Sequence, residues 1–122
     1  MEKLSLQEEE LMQVIWQYGE GSIKTFLQEF PDPKPPYTTI ASTIKNLEKK
    51  GYVTSHMAGN TFIYSSVVTE EDYKHNFMQG FIRNYFNNSY KEMVNFFVQQ
   101  KQLKSKDLQE IIEMIETKNK KK

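Results

Sequence analysis

Tyr37-Thr38-Thr39-Ile40-Ala41-Ser42-Thr43-Ile44-Lys45-Asn46-Leu47-Glu48-Lys49-Lys50-Gly51 runs directly into Tyr52-Val53-Thr54-Ser55-His56-Met57 and, after Ala58-Gly59-Asn60, Thr61-Phe62-Ile63-Tyr64-Ser65-Ser66. Ile40, Ile44 and Leu47 fall at the i, i+4, i+7 spacing that buries one stripe of a helix, and Gly51 supplies its stop. Thr38 is the expected N-cap, because the prolines before it impose extended geometry and its hydroxyl can accept an amide. Lys49 and Lys50 lie in the last turn, where positive charge suits the helix dipole. The two following runs are rich in β-branched and aromatic residues and flank a glycine-containing link, which predicts a β-hairpin. An isolated two-stranded hairpin is marginal in water, so this one must rest on the helices before it.

Upstream, Ser5-Leu6-Gln7-Glu8 has the form of a capping box opening a helix over Ser5 to Tyr18. Leu6, Leu11, Val14, Ile15 and Tyr18 are its expected stripe, with Met12 and Trp16 on an adjoining face. Gly19 and Gly21 end it. A shorter helix follows Ser22, with Ile23, Phe26, Leu27 and Phe30 along one side. All four prolines (Pro31, Pro33, Pro35, Pro36) then fall within six residues, which marks a stiff extended loop.

Downstream, the pattern returns to helix from Thr69. Tyr73, Phe77, Phe81 and Tyr85 recur at helical spacing, Asn87-Asn88-Ser89 interrupts, and Tyr90, Met93, Val94, Phe97 and Val98 resume. Ser105 is expected to cap a last helix whose Leu108, Ile111, Ile112 and Ile115 form an amphipathic face, with Lys118 to Lys122 fraying. The Val68-Thr69 junction is the expected boundary between a domain over 1–68 and a helical tail over 69–122. That tail carries more apolar stripe than three short helices can cover among themselves, and a symmetric dimer is the economical cover.

The whole chain has 122 residues, 38% hydrophobic and 13% aromatic, with no cysteine and no net charge. The absence of cysteine excludes disulfides, thiolate zinc sites and cysteine nucleophiles. No apolar run approaches the ~20 residues of a membrane span, and the start lacks a secretory signal, so a soluble cytoplasmic module is expected. Charge is unevenly spread: residues 1–33 set two lysines against seven acids, whereas 34–68 set Lys34, Lys45, Lys49 and Lys50 against Glu48 alone. A local positive face of this kind can attract phosphate although the molecule is neutral.

Three helices and a hairpin within about 65 residues is the layout of a winged helix, in which the third helix enters the DNA major groove. The fold class is therefore mostly α with a small β-hairpin: a winged helix-turn-helix domain followed by a helical dimerisation tail. The candidate DNA-binding residues are Thr38, Thr39, Ser42, Thr43, Lys45, Asn46, Lys49, Lys50 and, at the hairpin tip, Asn60. The candidate dimerisation residues are Phe77, Phe81, Tyr85, Tyr90, Met93, Val94, Phe97, Leu108, Ile111, Ile112 and Ile115. Glu71, Asp72 and His75 share one helix at metal-ligand spacing, but no second histidine lies near them in sequence. No nucleophile with its base, phosphate-binding glycine loop or poised carboxylate pair is present, so neither an enzyme nor a cofactor is implied.

Particular stretches carry a family resemblance. Leu6 to Trp16 resembles the opening helix of the BlaI/MecI/CopY family of penicillinase-type repressors. Thr38 to Val53 is similar to its recognition helix with the lysine-lysine-glycine exit, and Gly59-Asn60-Thr61-Phe62-Ile63-Tyr64 to its wing. Val94-Asn95-Phe96-Phe97-Val98 and Leu103-Lys104-Ser105-Lys106-Asp107-Leu108 resemble its dimerisation segment. The resemblance spans about residues 4–116. It implies a homodimeric repressor on a palindromic operator, released when a membrane sensor metalloprotease triggers cleavage between an asparagine and a phenylalanine. Asn95-Phe96 matches that bond, and Asn76-Phe77 offers the same dipeptide. Two departures count: the cysteines of the copper-responsive branch are absent, and Ala41 stands where many relatives carry a basic residue. Readout then falls to Thr38, Thr39, Ser42 and Lys45. The alternatives are a protein-interaction module without sequence-specific DNA binding, and a repressor released by a small ligand among Tyr73, Phe77, Phe81 and Tyr85.

Overall fold

A computed structural model describes residues 1–120. The elements run α1 (Leu6–Tyr18), α2 (Ile23–Gln28), α3 (Tyr37–Lys49), β1 (Val53–Ala58), β2 (Thr61–Ser66), α4 (Glu70–Tyr85), α5 (Tyr90–Gln99) and α6 (Ser105–Lys120). Two compact units result, Met1–Asn76 and Phe77–Lys122. The first extends beyond the expected Val68-Thr69 junction because the opening turns of α4 bring Tyr73 onto α1. The Tyr73 ring lies 5.5 Å from that of Trp16 and 6.0 Å from that of Tyr52, and its hydroxyl donates to Glu9.

The core of the first unit forms where the apolar stripes of α1, α2 and α3 meet the base of the hairpin. Leu11, Met12, Ile15, Phe26, Ile44 and Leu47 are buried there with Tyr52, Val53 and Tyr64. The capping box of α1 forms as expected: the Glu8 amide donates to Ser5 Oγ and the Ser5 amide to Glu8 Oε1. Leu6, however, is exposed and Leu4 is buried in its stead. Leu4 precedes the cap, where the incoming chain lies across the core.

Helix α3 begins one residue before the expected cap. Pro36 holds the N-cap position, its carbonyl accepts from the Thr39 and Ile40 amides, and no side chain caps the end. The other end closes in a Schellman motif. Gly51, at φ +82°, donates to the Glu48 carbonyl, and the buried Tyr52 donates to that of Leu47. Positive φ is why glycine is needed at this position.

The hairpin is antiparallel with Ala58 paired to Thr61, so the loop is two residues, Gly59-Asn60, and Ala58 belongs to the strand. Gly59 takes φ +64° at the first turn position, the place of glycine in a II′ turn. A third piece of backbone joins at the hairpin's base: Gly21 and Tyr64 exchange N–H···O bonds of 3.1 and 2.8 Å.

In the second unit, Asn87 and Asn88 both take positive φ between α4 and α5. Ser89 caps α5 by accepting from the Glu92 amide. A Schellman motif with Lys101 at φ +61° ends α5. For α6 the cap is Lys104 rather than Ser105: the Lys104 carbonyl accepts from the Leu108 amide, and Asp107 Oδ2 accepts from the Lys104 amide. The fraying expected over Lys118–Lys122 is not seen through Lys120, and Lys121 and Lys122 lie outside the described residues. No helix among the described residues is long and apolar enough to cross a membrane.

Candidate nucleic-acid interface

At 100° per residue, Thr38, Ser42, Lys45 and Lys49 fall on one stripe of α3, opposite the stripe of Ile40, Thr43, Ile44 and Leu47. The structure agrees: the first four are exposed and the second four buried. Lys45 and Lys49 form no ion pair among the described residues, so both ammonium groups are available to an anion. Asn46 is exposed on one flank, where it lines an open depression with Glu2, Ser5 and Lys49. Asn60 is exposed at the hairpin turn.

Three of the expected contact residues are placed differently. Thr43 is 5% exposed, and its hydroxyl donates to the Thr39 carbonyl at 2.7 Å, so it belongs to the packed side of α3. Thr39 is half-buried, and its carbonyl accepts from Ser42 Oγ as well. Lys50 is drawn toward α1: its ammonium donates to Glu8 Oε1 at 2.7 Å and to the Lys3 carbonyl at 2.9 Å. Burial alone raises the Glu8 pKa, but the Lys50 ammonium and the Ser5 amide and hydroxyl outweigh it and hold the carboxyl below its ordinary value. Glu8 was not legible as Lys50's partner, because nothing local connects positions 42 apart in sequence. Lys34, the remaining base of the positive segment, donates to the carbonyls of Gln28, the last residue of α2, and of Phe30 just beyond it.

The hairpin is fixed on the other flank of α3. Ser55 Oγ donates to Glu48 Oε2 at 2.7 Å, and Tyr64 is buried, its phenol pushed up by burial and by Glu48. The helix and hairpin thus form one joined surface with a hydroxyl- and lysine-bearing centre.

The model of the family described as "Penicillinase repressor" matches residues 4–117. The chain belongs to the penicillinase repressor family. Among family members, the penicillinase repressor of Bacillus licheniformis is 29% identical over 98% of this chain and 95% of its own length. The methicillin resistance regulatory protein MecI of Staphylococcus aureus is 27% identical over 89% of both chains. The solution structure of the DNA-binding domain of the repressor BlaI matches with a TM-score of 0.51 and 30% identity. That match covers 60% of this chain and 94% of that domain, which establishes the winged-helix fold of the N-terminal part.

In this penicillinase repressor family member, the second unit presents the expected apolar residues on three helices. Phe77, Tyr85, Tyr90, Ile111, Ile112 and Ile115 are exposed, while Phe81, Met93, Val94, Phe97 and Leu108 are half-buried. Phe81, Phe86, Phe96 and Phe97 form a chain of rings, each 5.5–5.7 Å from the next. Asn95 is exposed in the middle of α5 and borders an open groove with Tyr90, Val94, Val98 and Leu108. Asn76 and Phe77 are also exposed, within α4.

Proposed function

We propose that this chain is a DNA-binding transcriptional repressor that grips a palindromic operator as a homodimer. The observation carrying the reading is the free stripe of Thr38, Ser42, Lys45 and Lys49, set on a helix whose opposite side is core. Short hydroxyl side chains approach base edges and phosphates closely, and the two lysines neutralise phosphate. Kinship with the penicillinase repressor and MecI supports the repressor role, and likeness to the DNA-binding domain of BlaI supports DNA as partner.

The apolar faces of α4, α5 and α6 are the proposed dimer surface, because single helices do not leave rows of exposed Ile and Phe without a partner. Two linked half-site contacts bind far more tightly than one, by roughly a hundredfold or more. Cleavage at Asn95-Phe96 by a protease answering a membrane sensor is the proposed release. It removes α6 from the dimer surface, and a protease needs α5 to unwind locally before the bond fits an extended substrate site.

Gel-shift binding of the full chain to DNA upstream of its own gene and neighbouring promoters, against a random duplex, tests the reading. A specific shift by a dimer, with the dimer verified by light scattering, is expected. A folded dimer with no preference over random DNA at any of these sites overturns it.

A further inference from the structure

Tyr73 fastens the opening of α4 to α1. Its ring packs 5.5 Å from that of Trp16 and 6.0 Å from that of Tyr52, and its hydroxyl donates to Glu9 Oε2. Glu9 and Trp16 are seven residues apart, about two turns along one face of the helix, so a single tyrosine lies along both. The Trp16 indole donates to the Val68 carbonyl just before α4, and the Asp72 amide closes the first turn by donating to Thr69 Oγ1. Burial and the Glu9 carboxylate push the Tyr73 phenol well above its ordinary value, so at neutral pH the hydroxyl stays a donor.

The neighbouring residue of α1 holds the other helix of interest, because Glu8 accepts from Lys50 at the end of α3. Two consecutive carboxylates in the first turn of α1 thus tie the end of α3 and the start of α4 to one short piece of backbone. Val67 and Thr69, between the hairpin and α4, are exposed, so without Tyr73 this link would leave α4 free to turn. From there α4 runs unbroken from Glu70 to Tyr85, past the division between the units at Asn76. It contains no proline to kink it, and the direction set at Tyr73 carries along its length.

We propose that Tyr73 is a positioning residue for operator binding: by fixing the direction of α4 against the first turn of α1, it sets the one half-site spacing at which both α3 helices of a homodimer can dock. This rests on the homodimeric repressor reading. Tyr73 itself touches neither base nor phosphate. It acts on the effective concentration of the second half-site contact, which a stiff connection gathers at one separation and a slack one spreads over many.

The test uses the shortest promoter duplex that the full-length chain shifts specifically, the same duplex lengthened at its centre of symmetry, and a duplex carrying a single half-site. One inserted base pair moves the second half-site by about 3.4 Å and turns it by about 35°. Wild type is expected to lose about tenfold or more in affinity on that insertion. Tyr73→Ala is expected to bind the native spacing about three- to tenfold more weakly, and to lose less than about threefold on insertion. On the single half-site it binds as wild type does. Tyr73→Phe, which keeps both ring contacts, and Glu9→Gln, which keeps an acceptor, retain most of the discrimination between spacings. A wild-type spacing profile in Tyr73→Ala, or in Glu9→Ala where Tyr73→Ala does not fold, overturns this proposal alone. So does an equal loss on the single half-site, which would assign Tyr73 to the stability of the reading surface, and so does a wild type indifferent to spacing. Wild type without preference for any promoter duplex overturns both readings.

Discussion

The Lys50 ammonium lies 2.7 Å from Glu8 Oε1 and ties the last turn of α3 to the first turn of α1. Glu8 is nearly wholly buried and also closes the α1 capping box. One carboxylate therefore holds two elements. Glu8→Gln is expected to destabilise the fold by about 1–3 kcal/mol at neutral pH, the range for losing charge-assisted bonds at a buried group. The folded-state pKa of Glu8 is depressed below 4.5, so its contribution is complete above that value and is lost as pH falls through the lower folded-state value. Denaturant unfolding of wild type and Glu8→Gln should converge in acid; a constant gap down to pH 2 would contradict the ion pair's role.

Lysines on α3 should separate into two kinds. Lys45→Ala and Lys49→Ala should each lower the salt slope of operator binding by about two, one phosphate contact from each subunit of the dimer, while leaving the melting temperature near wild type. Lys50→Ala should do the reverse, because its charge is spent on Glu8. Salt-series binding alongside thermal melts checks all three.

Thr43→Val tests the packed side of α3. It removes a buried hydroxyl together with the bond to the Thr39 carbonyl, and leaves the outward stripe intact. A stability change of about 1 kcal/mol with unaltered operator affinity of the folded protein is expected. Weakened affinity of the folded variant would return Thr43 to the contact surface.

Gly21 is buried where its backbone pairs with Tyr64. A Cβ there would lie 3.1 Å from Phe26 Cε1 and 3.3 Å from Thr25 Cγ2. Phe26 is fully buried and has little room to yield. Gly21→Ala should cost about 1–3 kcal/mol in chemical denaturation, the usual range for overpacking.

Ile112 is 52% exposed on α6, so Ile112→Glu should leave the monomer folded and act on association alone. Sedimentation should show wild type as dimer and the variant shifted toward monomer. A variant that remains dimeric would remove this stretch of α6 from the dimer surface.

Much of the architecture was legible because it follows from local periodicity. The apolar spacing of Ile40, Ile44 and Leu47 and the glycine at 51 mark α3 and its end, and the Thr61–Ser66 run matches β2 residue for residue. Legibility fails where a distant partner decides. Leu4 and Leu6 are indistinguishable by pattern, and only the path of the chain across the core buries one of them. Thr43 reads as one more hydroxyl on a hydroxyl-rich helix until its angle from Leu47 is taken into account. The Tyr73 ring that carries the first unit into α4 fits a tail stripe equally well by spacing. Alternation shows that Met57, Phe62 and Tyr64 share a face, but not where along that face the helices stop covering it.

The indole nitrogen of Trp16 donates to the Val68 carbonyl at 2.9 Å and to Ser66 Oγ at 3.1 Å, and its ring meets Tyr73. It is the only tryptophan in the chain. The protein consequently carries one indole fluorophore, excitable apart from its seven tyrosines, at the point where the hairpin's exit strand and the opening of α4 meet α1. Any event that loosens that junction must change the polarity and quenching around the indole, so unlabelled protein reports it by the colour and intensity of its own emission.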